Sequence, residues 1–428
     1  MKNLNSILIL LVLISLSCKN INTEKKDVEN TFKDIQLATK QNEDLWKTDI
    51  YGPILFVNQE SRLVYANFQD KSGVLKKDGN IFIGYLPKEI NISNTSIQWG
   101  GINWAMIMLP LPADRFERLN LCTHELFHRS QTKLGFEASN PENNHLDQKD
   151  GRIYLRLELE ALKQAIEANS QDELKKQLTN ALTFRKYRYH HFPSAELSEN
   201  ELELNEGIAE YTGVMMSERS SDDMKSHFIK SIDNFFNVPT FVRSFAYQTV
   251  PVYGYLVYKT KKDWNIDIKS NSNLTDYFIK QFQITIPTDL KSAIQNLRTR
   301  YCIAKIAEEE TVREEKNQKI IAEFKNRFIN NPHFEIHFEQ MNISFNPGNI
   351  IPLDNYGTVY PTLRVSDKWG ILTVTNGALL GANWDKVTLS NPTKIGKEKI
   401  MGDGWTLEMN TGYSIEKNNN GNYYLKKD

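Results

Sequence analysis

The hexapeptide Thr123-His124-Glu125-Leu126-Phe127-His128 sets two histidines four positions apart, with a glutamate beside the first. On a helix, that spacing puts both imidazoles on one face, one turn apart. Imidazole nitrogens suit zinc, and two of them so spaced can converge on one ion. A glutamate next to the first histidine lies over the open coordination position, where it can take a proton from an activated water. His124 and His128 are therefore candidate metal ligands, and Glu125 a candidate general base. The competing explanation is a helix with two half-buried histidines bonded to ordinary neighbours. Asp114 followed by Glu117 reads as a capping box and Gly135 as a stop, so one helix is expected over 115–134.

Catalytic zinc needs a third protein ligand. The stretch 201–213, ELELNEGIAEYTG, offers several carboxylates: Glu199, Glu203, Glu206 and Glu210 share one helical face, and Ser198 with Glu201 forms a second capping-box signature. A solvated acidic stripe is the ordinary explanation of such a face. Against it stands Gly207, which in mid-helix costs about 1 kcal/mol relative to alanine. A glycine there lets another backbone approach closely. Glu206 leads the candidates. Glu158 is the chief rival, because its i±3 and i±4 neighbours are Tyr154, Leu155, Ala161 and Leu162, and a carboxylate in such surroundings needs a partner or a metal. His145 and Asp147, in a loop-like NNHLDQKDG, are further rivals. Glu160 has Arg156 and Lys163 nearby and needs no metal.

The HExxH pattern followed by Asn205-Glu206-Gly207-x-Ala209-x-Tyr211 resembles the gluzincin metallopeptidases, and within them the aminopeptidase N and leukotriene A4 hydrolase branch. The resemblance covers two short helical motifs. It implies a zincin-like catalytic domain that binds Zn2+ through His124, His128 and Glu206, with Glu125 as general base. It also implies that Glu210 orients a ligand histidine, and that a downstream tyrosine, Tyr247 or alternatively Tyr253, stabilises the oxyanion. The substrate implied is a peptide or protein.

Two departures qualify this likeness. The glutamate follows the second histidine much more closely in those families; here two helical stretches, GRIYLRLELEALKQAIEA and SQDELKKQLTNALTFRKYRY, intervene and read as an inserted hairpin. The aminopeptidases' Gly-Ala-Met-Glu-Asn strand has Gly100-Gly101-Ile102-Asn103-Trp104 as its nearest match, with Asn103 in place of the amine-binding glutamate. Aminopeptidase specificity is therefore not implied, although a strand there could pair with an extended peptide. His190-His191 could form a second metal site or a pocket wall, but such a pair is more often simply exposed; His333/His337 alternate along a strand and read as structural.

Around these motifs, 428 residues allow two or three domains. Met1-Lys2, the apolar run from Ile7 to Leu16 and then Ser17-Cys18 read as a signal peptide over 1–18. The run is shorter than the ~20 residues a spanning helix requires. The end of this segment resembles a bacterial lipobox, which implies lipid on Cys18 and a place in the bacterial cell envelope, periplasmic or outer-membrane; otherwise the chain is secreted. Residues 19–45 read as a polar tether. Residues 46–330 follow as the metallopeptidase domain, with a small N-terminal β-sheet ahead of mainly helical sequence. Residues 331–428 read as a β-sandwich-like domain closed by a hairpin around NNNG. The fold class expected is α+β. A net charge of −1 without a basic stripe excludes nucleic acid as the main partner. Cys122 and Cys302 are expected as buried free thiols. Two other functions fit the same residues: a surface binding lipoprotein on an inactive or structural zinc fold, and a zinc hydrolase acting on something other than peptides. The retained Glu125 favours an enzyme, since a structural zinc has no use for it.

Overall fold

The computed structural model describes residues 24–297 and 299–428; the signal segment and Cys18 lie outside the described residues. The chain is α+β. Its contacts divide it into two units: one of residues up to Lys88, Ile92–Leu134 and Thr212–Arg219, the other of Glu89–Asn91, Gly135–Tyr211 and Ser220–Asp428.

In the first unit, residues 24–41 form helix α1. Val28, Phe32, Ile35 and Ala38 fall at helical spacing and are buried, and Phe32 stacks on Phe56 with ring centroids 4.7 Å apart. This differs from the tether expected over 19–45: the stretch is polar on average, but its apolar residues share one face, which is enough to hold a helix against a core. A six-stranded sheet follows, built from Ile54–Asn58 (β1), Leu63–Ala66 (β2), Lys76–Asp78 (β3), Ile81–Tyr85 (β4), Thr95–Trp99 (β5) and Ile102–Leu109 (β6). Its order is β3-β4-β2-β1-β6-β5, with β1 and β6 parallel. These two strands bury consecutive residues, as strands covered on both faces must, and their sequences are correspondingly apolar over Ile54 to Val57 and Trp104 to Leu109. Gly100 and Gly101, at φ +56° and +75°, make the two-residue turn between β5 and β6 that only such residues fit without strain. The glycines thus belong to a hairpin tip, and the edge strand is β5. Helix α2 (Arg115–Ser130) continues as a tighter turn, Gln131–Leu134, and ends at Gly135 with φ +91°.

The second unit carries the inserted hairpin, α3 (Lys149–Glu167) and α4 (Gln171–His191). Next come α5 (Ala195–Leu202), a π-helical turn over Glu203–Gly207, and α6 (Ile208–Met216), whose residues from Thr212 belong to the first unit. Ser198 does not cap a helix. It lies inside α5 and bonds back to the Ser194 carbonyl at 3.2 Å, a local bond that serine makes readily in mid-helix. Helices α7 (Ser221–Phe235), α8 (Ala246–Tyr258), α9 (Leu274–Gln281), α10 (Leu290–Asn296) and α11 (Ile303–Lys325) complete the helical part. Helix α11 is less solvated than its charge suggests, because Glu310 is buried and bonded to Arg152, Arg156 and Arg313.

From His333 the chain is β. A seven-stranded sheet includes His333–His337, Thr358–Tyr360, Ala378–Leu380, Lys386–Ser390 and the closing hairpin Tyr413–Lys417/Tyr423–Lys427; a six-stranded sheet includes Asn342–Phe345, Leu363–Asp367, Gly370–Val374 and Trp405–Met409. One apolar core draws Phe334, Ile336 and Val387 from the first sheet and Val365, Leu372 and Leu407 from the second, so the two sheets bury their inner faces together. No helix among the described residues is long and apolar enough to cross a membrane.

Candidate metal centre

Helix α2 starts where Asp114 accepts the Glu117 N–H at 2.9 Å. Two turns on, Thr123 donates to the Leu119 carbonyl at 2.7 Å. His124 and Glu125 are buried and His128 is half-buried. The two imidazoles face each other with Nε2 atoms 3.1 Å apart. A zinc with tetrahedral angles and bonds of about 2.0–2.1 Å would hold two nitrogens about 3.3 Å apart. The Gln131 amide oxygen sits 2.8 Å from Nδ1 of His128. That acceptor places the ring proton on Nδ1 and leaves the Nε2 lone pair for a metal, the usual role of an outer partner. The neighbouring Cys122 thiol is pushed well up by burial and stays a packing residue.

Glu206 owes its position to the π-helical turn. Such a turn adds one residue to the helical circuit and occurs often at functional sites. It separates Glu206 from the stripe expected to run through Glu199, Glu203 and Glu210. Glu199 and Glu203 are fully buried. Glu199 accepts from Arg188 at 2.6–2.7 Å and lies 2.7 Å from His145 Nε2; Glu203 accepts from Arg185 at 2.7–3.0 Å and from Thr249 at 2.5 Å. Glu206 is half-buried instead, accepting from the Tyr247 hydroxyl at 2.7 Å and from Asn205 Nδ2 at 3.2 Å. Glu210 is half-buried one turn further on. One ligand atom from each of His124, His128 and Glu206 lies within 4.8 Å of the others. Two imidazole nitrogens and a carboxylate oxygen are a donor set that fits zinc.

Two glycines let helices close in. A Cβ on Gly213 would lie 2.7 Å from the Asn120 carbonyl oxygen and 3.3 Å from His124 Cβ, whereas one on Gly207 would lie 2.6 Å from Val250 Cγ2 on α8. The close approach expected at Gly207 is therefore to the helix of Tyr247, and Gly213 provides the approach to α2.

The rivals for the third ligand are all engaged elsewhere. Glu158 is fully buried between Arg185, at 2.7 Å, and Arg188, at 2.9 Å, and accepts from Tyr253 at 3.0 Å. Asp147 binds Arg152, Thr240 and the Phe241 N–H. His145 belongs to Glu199. Tyr253, the alternative to Tyr247, is thus a core residue. Asn103 bonds the Arg129 carbonyl at 3.1 Å. His191 pairs with Asp150 at 3.3 Å, and His333 faces Glu335 at 3.5 Å on a strand. Cys302 is exposed rather than buried. Two neighbours escaped the sequence reading: Gln131, whose i+3 spacing from His128 could have signalled it, and Arg243, whose guanidinium lies 4.0 Å from Glu206 and which had no local signal.

No protein-family model, no curated protein and no solved structure matches the chain.

Proposed function

We propose that the chain is a zinc metallopeptidase of zincin-like type. The observation that carries this reading is the convergence of His124, His128 and Glu206, with Glu125 beside the first histidine on the same helix. Bound there, zinc would polarise the scissile carbonyl and acidify a water. The chain's own residues do the rest. His124 and His128 present Nε2, and Gln131 fixes the ring of His128. Glu125 accepts the proton of the attacking water on its carboxylate and passes it to the departing amine nitrogen. Tyr247 donates its one hydroxyl proton to Glu206 and holds that carboxylate in place; released from that bond, the same phenol would be the donor to the reacting carbonyl. The lipobox-like start supports a lipid-anchored protein of the bacterial envelope.

Hydrolysis of a mixed peptide library by the purified chain is the test. Activity is expected to disappear with a zinc chelator and return when zinc is restored. Hydrolysis that survives complete metal removal would rule the reading out.

A further inference from the structure

Arg243 stands at the candidate centre with little to do there. Its side chain is 19% exposed and 4.0 Å from Glu206 Oε1. Its one hydrogen bond to a described residue is to the neutral Asn140 side chain, at 2.6 Å. A guanidinium carries five N–H donors in a planar fork matched to carboxylates. Its one ion pair among the described residues is with Glu206, whose charge a bound metal would claim; the Glu142 charge also reaches Tyr360 beside it.

Beside Arg243 lies an aromatic group. Phe345 is 5.9 Å from the guanidinium carbon and packs edge-on against Tyr360 at 4.7 Å. Trp384 stands 6.3 Å from both rings. It is 37% exposed and takes φ +55°, a left-handed conformation unusual for a bulky side chain and found preferentially at functional sites. The β strands thus bring apolar surface to the residue that brings the spare cation.

Resting on the peptidase reading, we propose that Arg243 is the specificity residue that binds a substrate's C-terminal carboxylate, with Trp384, Phe345 and Tyr360 as the platform for an adjacent apolar side chain. A carboxylate bonded to the guanidinium at about 2.8 Å would lie within about 7 Å of the Glu206 carboxylate. An extended chain advances about 3.3–3.6 Å per residue, so the bond cut is within roughly two residues of the C terminus. The reaction is C-terminal exopeptidase action: water adds across the peptide bond, its hydroxyl to the new carboxyl group and its proton to the released amine.

The test pairs binding with cleavage. The zinc-loaded chain is titrated calorimetrically with N-acetylphenylalanine and with its amide, in wild type, Arg243→Gln and Arg243→Lys, after equal zinc content and melting temperature are established. The same proteins are offered one peptide as free acid and as C-terminal amide. Wild type is expected to favour the acid by ~10–100-fold in both assays, as suits a hydrogen bond to a charged group. Arg243→Gln should lose that preference and Arg243→Lys keep part of it. Acid and amide bound alike by wild type, or an acid preference intact in Arg243→Gln, would overturn the proposal. Cleavage of both peptides alike would then leave the peptidase reading standing alone. Conversely, acid binding that depends on Arg243 in a chain that cleaves nothing would keep the anion site and sink the peptidase reading.

Discussion

Glu125→Gln is expected to keep zinc content and melting temperature near those of the wild type while peptide hydrolysis falls by about 10²–10⁴-fold, the usual contribution of a general base. The substitution preserves size and shape in a buried position on α2, so packing around His124 is undisturbed. It removes the basicity needed to take a proton from the attacking water. The loss should fall on kcat, since the glutamate is not proposed to hold substrate. Activity equal to wild type would remove Glu125 from the mechanism. Loss of zinc along with activity would show that the residue holds the site together instead.

The largest effect on stability is expected at Arg185. This fully buried guanidinium bonds Glu158 at 2.7 Å and Glu203 at 2.7–3.0 Å, and Arg188 continues the network to Glu199. Removing one partner of a buried ion pair leaves an uncompensated charge and costs about 3–5 kcal/mol. Arg185→Ala leaves Glu203 with no cation and Glu158 with Arg188 alone, so a fall in melting temperature of roughly 4–8 °C is expected by calorimetry; a change under about 2 °C would contradict the account. The network also sets an acid limit. Burial raises the Glu199 carboxyl, but the Arg188 charge and hydrogen bonds, with His145, outweigh it and bring it to about 2. The folded state therefore releases this proton more readily than the unfolded chain, whose carboxyl titrates near its ordinary 4.5. Its stabilisation is present above that value and drains away as pH falls toward 2. Glu203 works in the opposite sense: burial holds its carboxyl above the ordinary range.

The parts of this fold that obey local rules were legible. The cap at Asp114, the stop at Gly135 and the i,i+4 histidines all follow from helix geometry, and so do the intervening hairpin and the apolar strands β1 and β6. Gly207 and the motif together favour Glu206 over Glu158, and the structure adds a physical ground: Glu158 already has two arginines. What stayed hidden depends on tertiary partners. Glu199 and Glu203 are buried against Arg188 and Arg185, and these arginines lie on α4, outside any local window around the acidic stripe. The π-helical turn at Glu203–Gly207 leaves no mark in a period of 3.6. Helix α1 was the opposite kind of miss, its apolar face present in the sequence but diluted by charge.

Zinc per chain, measured by mass spectrometry on the purified protein, tests the central claim most directly. Wild type and Glu158→Gln are expected to carry one zinc each, and Glu206→Ala close to none, since metal affinity requires all three ligands. A folded wild type that takes up no zinc when offered it, or a Glu206→Ala variant that retains a full complement, would contradict the account.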